Sequence, residues 1–131
     1  MTTANHDTIL EALRSHPQIR LAILFGSVAA GCANRDSDID LAVAADQALD
    51  ADEKMALIAD LAVATGRPVD LVDLNTVGEP LLGQILKYGK RLLGSDERYA
   101  RLLTRHLIDE ADFMPYYRRV LAERRQAWIG R

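Results

Sequence analysis

Two apolar runs of strand length, Ile19 to Phe25 and Ile39 to Ala44, stand either side of a short stretch of small and polar residues. So short a connection favours an antiparallel pair over one joined by a crossover. The first run ends at Gly26-Ser27, which reads as a strand turning into a helix. The second opens on Asp38-Ile39-Asp40. Strand side chains alternate, so Asp38 and Asp40 project to one face while Ile39 and Leu41 enter the opposite layer. Two like charges on one face repel unless something neutralises them, and a hard divalent cation such as Mg²⁺ does so with one or two carboxylates plus phosphate oxygens. Gly26 lets backbone approach a ligand closely, and Ser27 offers a hydroxyl and an amide where a helix would begin.

The rest of the chain alternates in type. Thr8 to Ser15 spaces Ile9, Leu10 and Leu13 as a helix with Asp7 as N-cap, and Pro17 stops it. Asp50 to Thr65 is predicted helical, with Met55, Ile58, Leu61, Ala62 and Thr65 along one stripe and Gly66 as the stop. Pro68 to Leu74 is predicted as a third strand, Leu81 to Tyr88 as a short helix after Pro80, and Arg91 to Leu93 as a brief edge strand. Two amphipathic helices are expected to close the chain. Tyr99, Leu102, Leu103, His106 and Leu107 share a stripe in the first, and Phe113, Tyr117, Val120, Leu121 and Trp128 in the second, with Pro115 in the first turn of the later one. This order predicts an α/β (α+β) fold, a small mixed sheet with helices packed on one side of it. A single domain over residues 1–131 is expected, with its core at about 19–93 and the C-terminal helices at about 96–129.

Composition narrows the classes. No apolar run approaches the roughly 20 residues of a membrane span, and the polar N-terminus is unlike a signal peptide. With the lone Cys32, this makes the cytoplasm the expected location. The net charge of −3 is unevenly spread: eleven acids lie between Asp36 and Glu79 against Lys54 and Arg67, while eight arginines face five acids from Glu97 to Arg131. The acidic half disfavours direct nucleic-acid binding, and the basic tail suits a solvated face or a protein interface, with a homo- or hetero-oligomer as its outcome. His6, His16 and His106 lack zinc-ligand spacing, and His106 falls on an apolar stripe as a packed residue.

A third carboxylate is expected from a neighbouring strand. Asp70 and Asp73 differ by three positions and so face opposite sides. Asp70 sits mid-strand between Val69 and Leu71, where an acid is costly unless used. Asp73 sits at the strand end, where it is expected to be a surface residue. The metal role therefore goes to Asp70.

Gly26-Ser27, then Asp38-x-Asp40, then Asp70 among apolar residues resembles the minimal nucleotidyltransferases of the DNA polymerase beta-like superfamily, over roughly residues 19 to 93. The resemblance implies two Mg²⁺ ions on Asp38, Asp40 and Asp70, with ATP as substrate and pyrophosphate as leaving group. It implies nucleotide contacts from Gly26, Ser27 and Ser37. One departure stands out: many members carry an arginine just before the second glycine of the turn, where this chain has Ala30, so a basic phosphate contact must come from Arg35 or Lys87 or be missing. Members of this kind pair with a HEPN-domain protein in toxin–antitoxin systems. That implies AMP transfer to a tyrosine of a HEPN ribonuclease toxin, with the basic C-terminal helices as docking surface. Two alternatives stay open. One is an antitoxin that neutralises by binding alone, and the other a transferase acting on an aminoglycoside-type hydroxyl, against which the lack of an acceptor-holding domain counts.

Overall fold

A computed structural model describes residues 2–26, 29, 31 and 37–129, with side chains from residue 6 onward and without those of 112–118 and 125–129. The elements are α1 (Thr2–Arg14), β1 (Leu21–Phe25), β2 (Ile39–Ala44), α2 (Ala51–Thr65), β3 (Val69–Asp73), α3 (Leu81–Tyr88), β4 (Lys90–Leu93) and α4 (Asp96–Ile129). The four strands form one mixed sheet in the order β3-β2-β1-β4. β1 pairs antiparallel with β2 and β4, and β2 pairs parallel with β3. The parallel pair uses α2 as its crossover, the only kind of connection that lets two parallel neighbours be consecutive.

The two central strands have apolar side chains on both faces, and both faces are covered. Ala22, Leu24, Ile39, Leu41 and Val43 face Ile9 and Leu13 of α1 and Leu57 and Leu61 of α2. On the other face, Leu21, Ile23 and Ala42 meet Leu82 and Ile85 of α3 and Leu102 of α4. Helices therefore pack on both sides of the sheet, not on one as the sequence suggested. The continuous apolar run of β1, four of whose five residues are buried, is what a strand covered on both faces requires.

α2 is bounded as its sequence dictates. Asp50 accepts from the Glu53 amide at 2.7 Å while Glu53 accepts from the Asp50 amide at 3.2 Å, and Gly66 closes the helix at φ 67°. Its buried side chains are Leu57 and Leu61, with Ile58, Ala62 and Thr65 half-buried on the expected stripe, whereas Met55 is 68% exposed and Leu57 takes its place. α1 begins at Thr2, which puts Asp7 inside the helix and not at its cap.

The C-terminal region differs most from expectation. A single 34-residue helix, α4, replaces the predicted pair and continues through Pro115. A proline removes one backbone donor and crowds one carbonyl, a loss of about 3 kcal/mol that strong helix formers on both sides can offset.

Candidate active site

Three acidic residues meet at one end of the second sheet face. Ile39 and Leu41 are fully buried on the first face, so Asp38 and Asp40 project to the other, as alternation required. Asp70 is the register partner of Asp40 on the neighbouring parallel strand, which puts the two on the same face one strand apart. Asp40 is half-buried, while Asp38 and Asp70 are exposed. Burial pushes the Asp40 carboxyl above the usual carboxylate range, and the charges of Asp70 and then Asp38 push it further. An acid pushed up in this way by burial and by two like charges is one that a bound cation would relieve.

Asp70 reaches this face for a reason other than the expected one. It lies exposed on the edge strand β3, so no burial cost marks it out, and register alone brings it to Asp40. Asp73 is the reverse case and corrects the expectation of a surface residue, because it is only 5% exposed. Its carboxylate accepts from the Leu49 amide at 2.8 Å and the Asn75 amide at 2.9 Å, tying the chain before α2 to the end of β3.

Gly26 closes the site from the β1 side. It adopts φ 73°, and a Cβ built there would lie 2.1 Å from Asp40 Oδ2. No side chain fits between that turn and the carboxylate, which makes the glycine a condition of the acid's position. Ser37 lies half-buried at the entrance to β2. Ser27, Ala30, Cys32 and Arg35 lie outside the described residues. Lys87 is exposed, with its ammonium 5.3 Å from the Tyr88 ring centroid. Phe25, which sequence reasoning passed over, is the antiparallel register partner of Asp40 and lies half-buried beside it. Only strand register, which no local pattern prints, could have found it.

Among the described residues, no three His, Cys, Asp or Glu side chains are gathered into a ready-made metal centre. Charge, face and donor type nevertheless fit a hard divalent cation. The donors are carboxylate oxygens, and two of the three acids, Asp38 and Asp70, are exposed.

Two of the three histidines have structural partners. His106 lies between Glu79 and Glu110, joining α4 to the start of α3, and His16 pairs with Asp60 at 2.6 Å, joining α1 to α2. His106 is thus a packed residue, as its stripe suggested.

Residues 7–98 match the family described as polymerase beta, nucleotidyltransferase. The chain belongs to that family. As a polymerase beta-type nucleotidyltransferase it is 39% identical over 98 residues to the protein adenylyltransferase MntA of Shewanella oneidensis, covering 74% of this chain and 70% of that one. Among solved structures, it is similar to a chain of a toxin–antitoxin crystal structure with AMP-PNP, at 35% identity and TM-score 0.72 over 96% of each chain. It is also similar to a chain of the tri-AMPylated Shewanella oneidensis HEPN toxin in complex with its MNT antitoxin, at 32% identity and TM-score 0.69 over 99% and 97%. Within the family it stands with the MntA-type minimal nucleotidyltransferases. Among the described residues, no helix is long and apolar enough to cross a membrane.

Proposed function

We propose that this chain is an adenylyltransferase that moves AMP from ATP to a hydroxyl, a tyrosine of a HEPN-domain toxin, and acts as that toxin's antitoxin. The observation that carries the reading is the meeting of Asp38, Asp40 and Asp70 on one face against a glycine that only a bare backbone could occupy. The likeness to MntA and to an AMPylated HEPN complex supports the nucleotide and the acceptor.

Asp38, Asp40 and Asp70 would hold Mg²⁺. When bound, the ions would offset triphosphate charge and lower the pKa of the acceptor hydroxyl. Gly26 would offer its backbone amide to phosphate oxygens. The acceptor oxygen bonds to the α-phosphorus, the bond to the bridging oxygen breaks, and pyrophosphate leaves. Asp70, exposed on an edge strand, is the carboxylate that an incoming hydroxyl reaches, and it takes the proton. Nucleotide contacts from Ser27 and Ser37, a single domain over residues 1–131 and a cytoplasmic location belong to the same reading.

The test is mass spectrometry of the co-expressed partner with Mg²⁺ and ATP. One added AMP on a tyrosine is expected, lost with Asp38→Asn or Asp40→Asn. An unmodified partner that is still neutralised by both variants would overturn the catalytic reading in favour of binding alone. The exposed apolar residues Leu103, Leu107 and Ile108 on α4 are the observation favouring that second reading.

A further inference from the structure

α3 and α4 lie side by side across the second sheet face, and named contacts set their order. α4 covers the Ala44 end of the strands: Arg98 reaches Asp46, Arg105 donates to the carbonyls of Leu74 and Val77, and Leu102 packs with Leu21 and Leu74. α3 starts from that end and returns toward the acidic end, where Gly89 closes on Ile23 and the Leu24 carbonyl and Lys90 pairs with Leu24. The side of α3 turned to α4 is marked by Gly83, against His106, and by Leu86, whose carbonyl accepts from the Tyr99 hydroxyl at 3.5 Å.

Helical spacing puts Leu81, Gln84 and Tyr88 on the opposite flank. Because α4 covers the Ala44 end, the flank turned away from α4 lies toward the end of the strands carrying Asp38, Asp40 and Asp70. Its three side chains are exposed, Tyr88 by 68%. Phe25, in register with Asp40, packs on the same sheet face against the cluster that holds Leu82 and Ile85 of α3. An exposed aromatic with the Lys87 ammonium 5.3 Å from one side of its ring, a carboxamide and a second aromatic beside the acids are the parts of a nucleobase pocket.

We infer that this flank of α3 is the wall that selects adenine: Tyr88 stacks on the base and the Gln84 carboxamide reads its edge. Glutamine offers a donor and an acceptor together, which matches the N7 acceptor and N6 donor of adenine, whereas guanine presents two acceptors there. The inference rests on the adenylyltransferase reading above and adds to it the residues that choose the base.

Calorimetric titration of the full chain with AMP-PNP and with GMP-PNP, both in Mg²⁺, tests it alongside initial rates of AMP transfer. Tyr88→Ala is expected to weaken AMP-PNP binding and raise the KM for ATP about tenfold with kcat unchanged, and Tyr88→Phe to restore both. Gln84→Ala is expected to narrow the preference for AMP-PNP over GMP-PNP about tenfold. Both residues are exposed, so an unchanged Tm shows that the variants are folded. Wild-type affinity and base preference in Tyr88→Ala and Gln84→Ala, in a chain that transfers AMP, would overturn the wall alone. A chain that binds AMP-PNP through Tyr88 and transfers nothing would overturn the transfer reading and leave the wall standing.

Discussion

At the scale of single residues, the acids divide by what they cost. Asp40 carries a raised pKa, so its ionisation opposes folding: the favourable contribution is complete below the ordinary value of 3.8 and is lost as pH rises through the higher folded value. In metal-free buffer at pH 7, Asp40→Asn should therefore raise Tm by about 2 °C, an advantage that fades toward pH 3, while transfer activity disappears. Differential scanning calorimetry across pH checks the sign, and a lower Tm at pH 7 would mean that Asp40 has an uncharted partner. Asp73 behaves oppositely. Asp73→Ala leaves the Leu49 and Asn75 amides without their acceptor and should cost about 2–3 kcal/mol in urea unfolding, whereas Asp70→Ala should stay within about 0.5 kcal/mol. The sequence placed these two on opposite faces correctly, yet it assigned burial to the wrong one, because strand position says nothing about which loop folds over a strand end.

At the scale of elements, boundaries written in cap chemistry were legible in the sequence and packing partners were not. The span of β2 agrees with its apolar run, and α2 runs between Asp50 and Gly66 because both caps are side-chain or backbone chemistry local to those residues. Asp50→Ala should lower stability by about 1 kcal/mol in chemical denaturation, with no change in nucleotide binding. The same local logic misjudged α4. Pro115 is a strong start signal, but whether a helix also continues upstream of it depends on the residues either side and on what the whole helix packs against. The turn at Gly26 is an element boundary of another kind. Gly26→Ala forces a Cβ toward Asp40 at a left-handed φ, and it should cost about 1–2 kcal/mol and abolish transfer even though no catalytic group is removed.

At the scale of the whole molecule, two helix layers hold a sheet, and the acids lie at the end of its strands away from Ala44. Mg²⁺ and ATP added together should raise Tm more than either alone, reaching about 2.7 kcal/mol of stabilisation at a hundredfold excess over Kd. No shift in thermal unfolding at millimolar ligand would mean that the carboxylates bind no nucleotide. Partner docking belongs to the same scale. Leu107→Glu on the exposed side of α4 should weaken binding to the proposed HEPN-domain partner in a pull-down while leaving Tm and AMP-PNP binding unchanged, since this side chain is 56% exposed and contributes little to the core.

The strand-forming runs, the glycine turn, the face shared by Asp38 and Asp40 and the antiparallel first pair follow from the sequence alone, because side-chain alternation, backbone sterics and loop length are local properties. Tertiary structure alone decided that Asp70 stands in register with Asp40, that Asp73 is buried, that both sheet faces are covered and that α3 and α4 lie side by side on one of them. Each of these depends on which distant segment fills the space beside a residue, and that is settled by packing across the sheet and not by any neighbour along the chain.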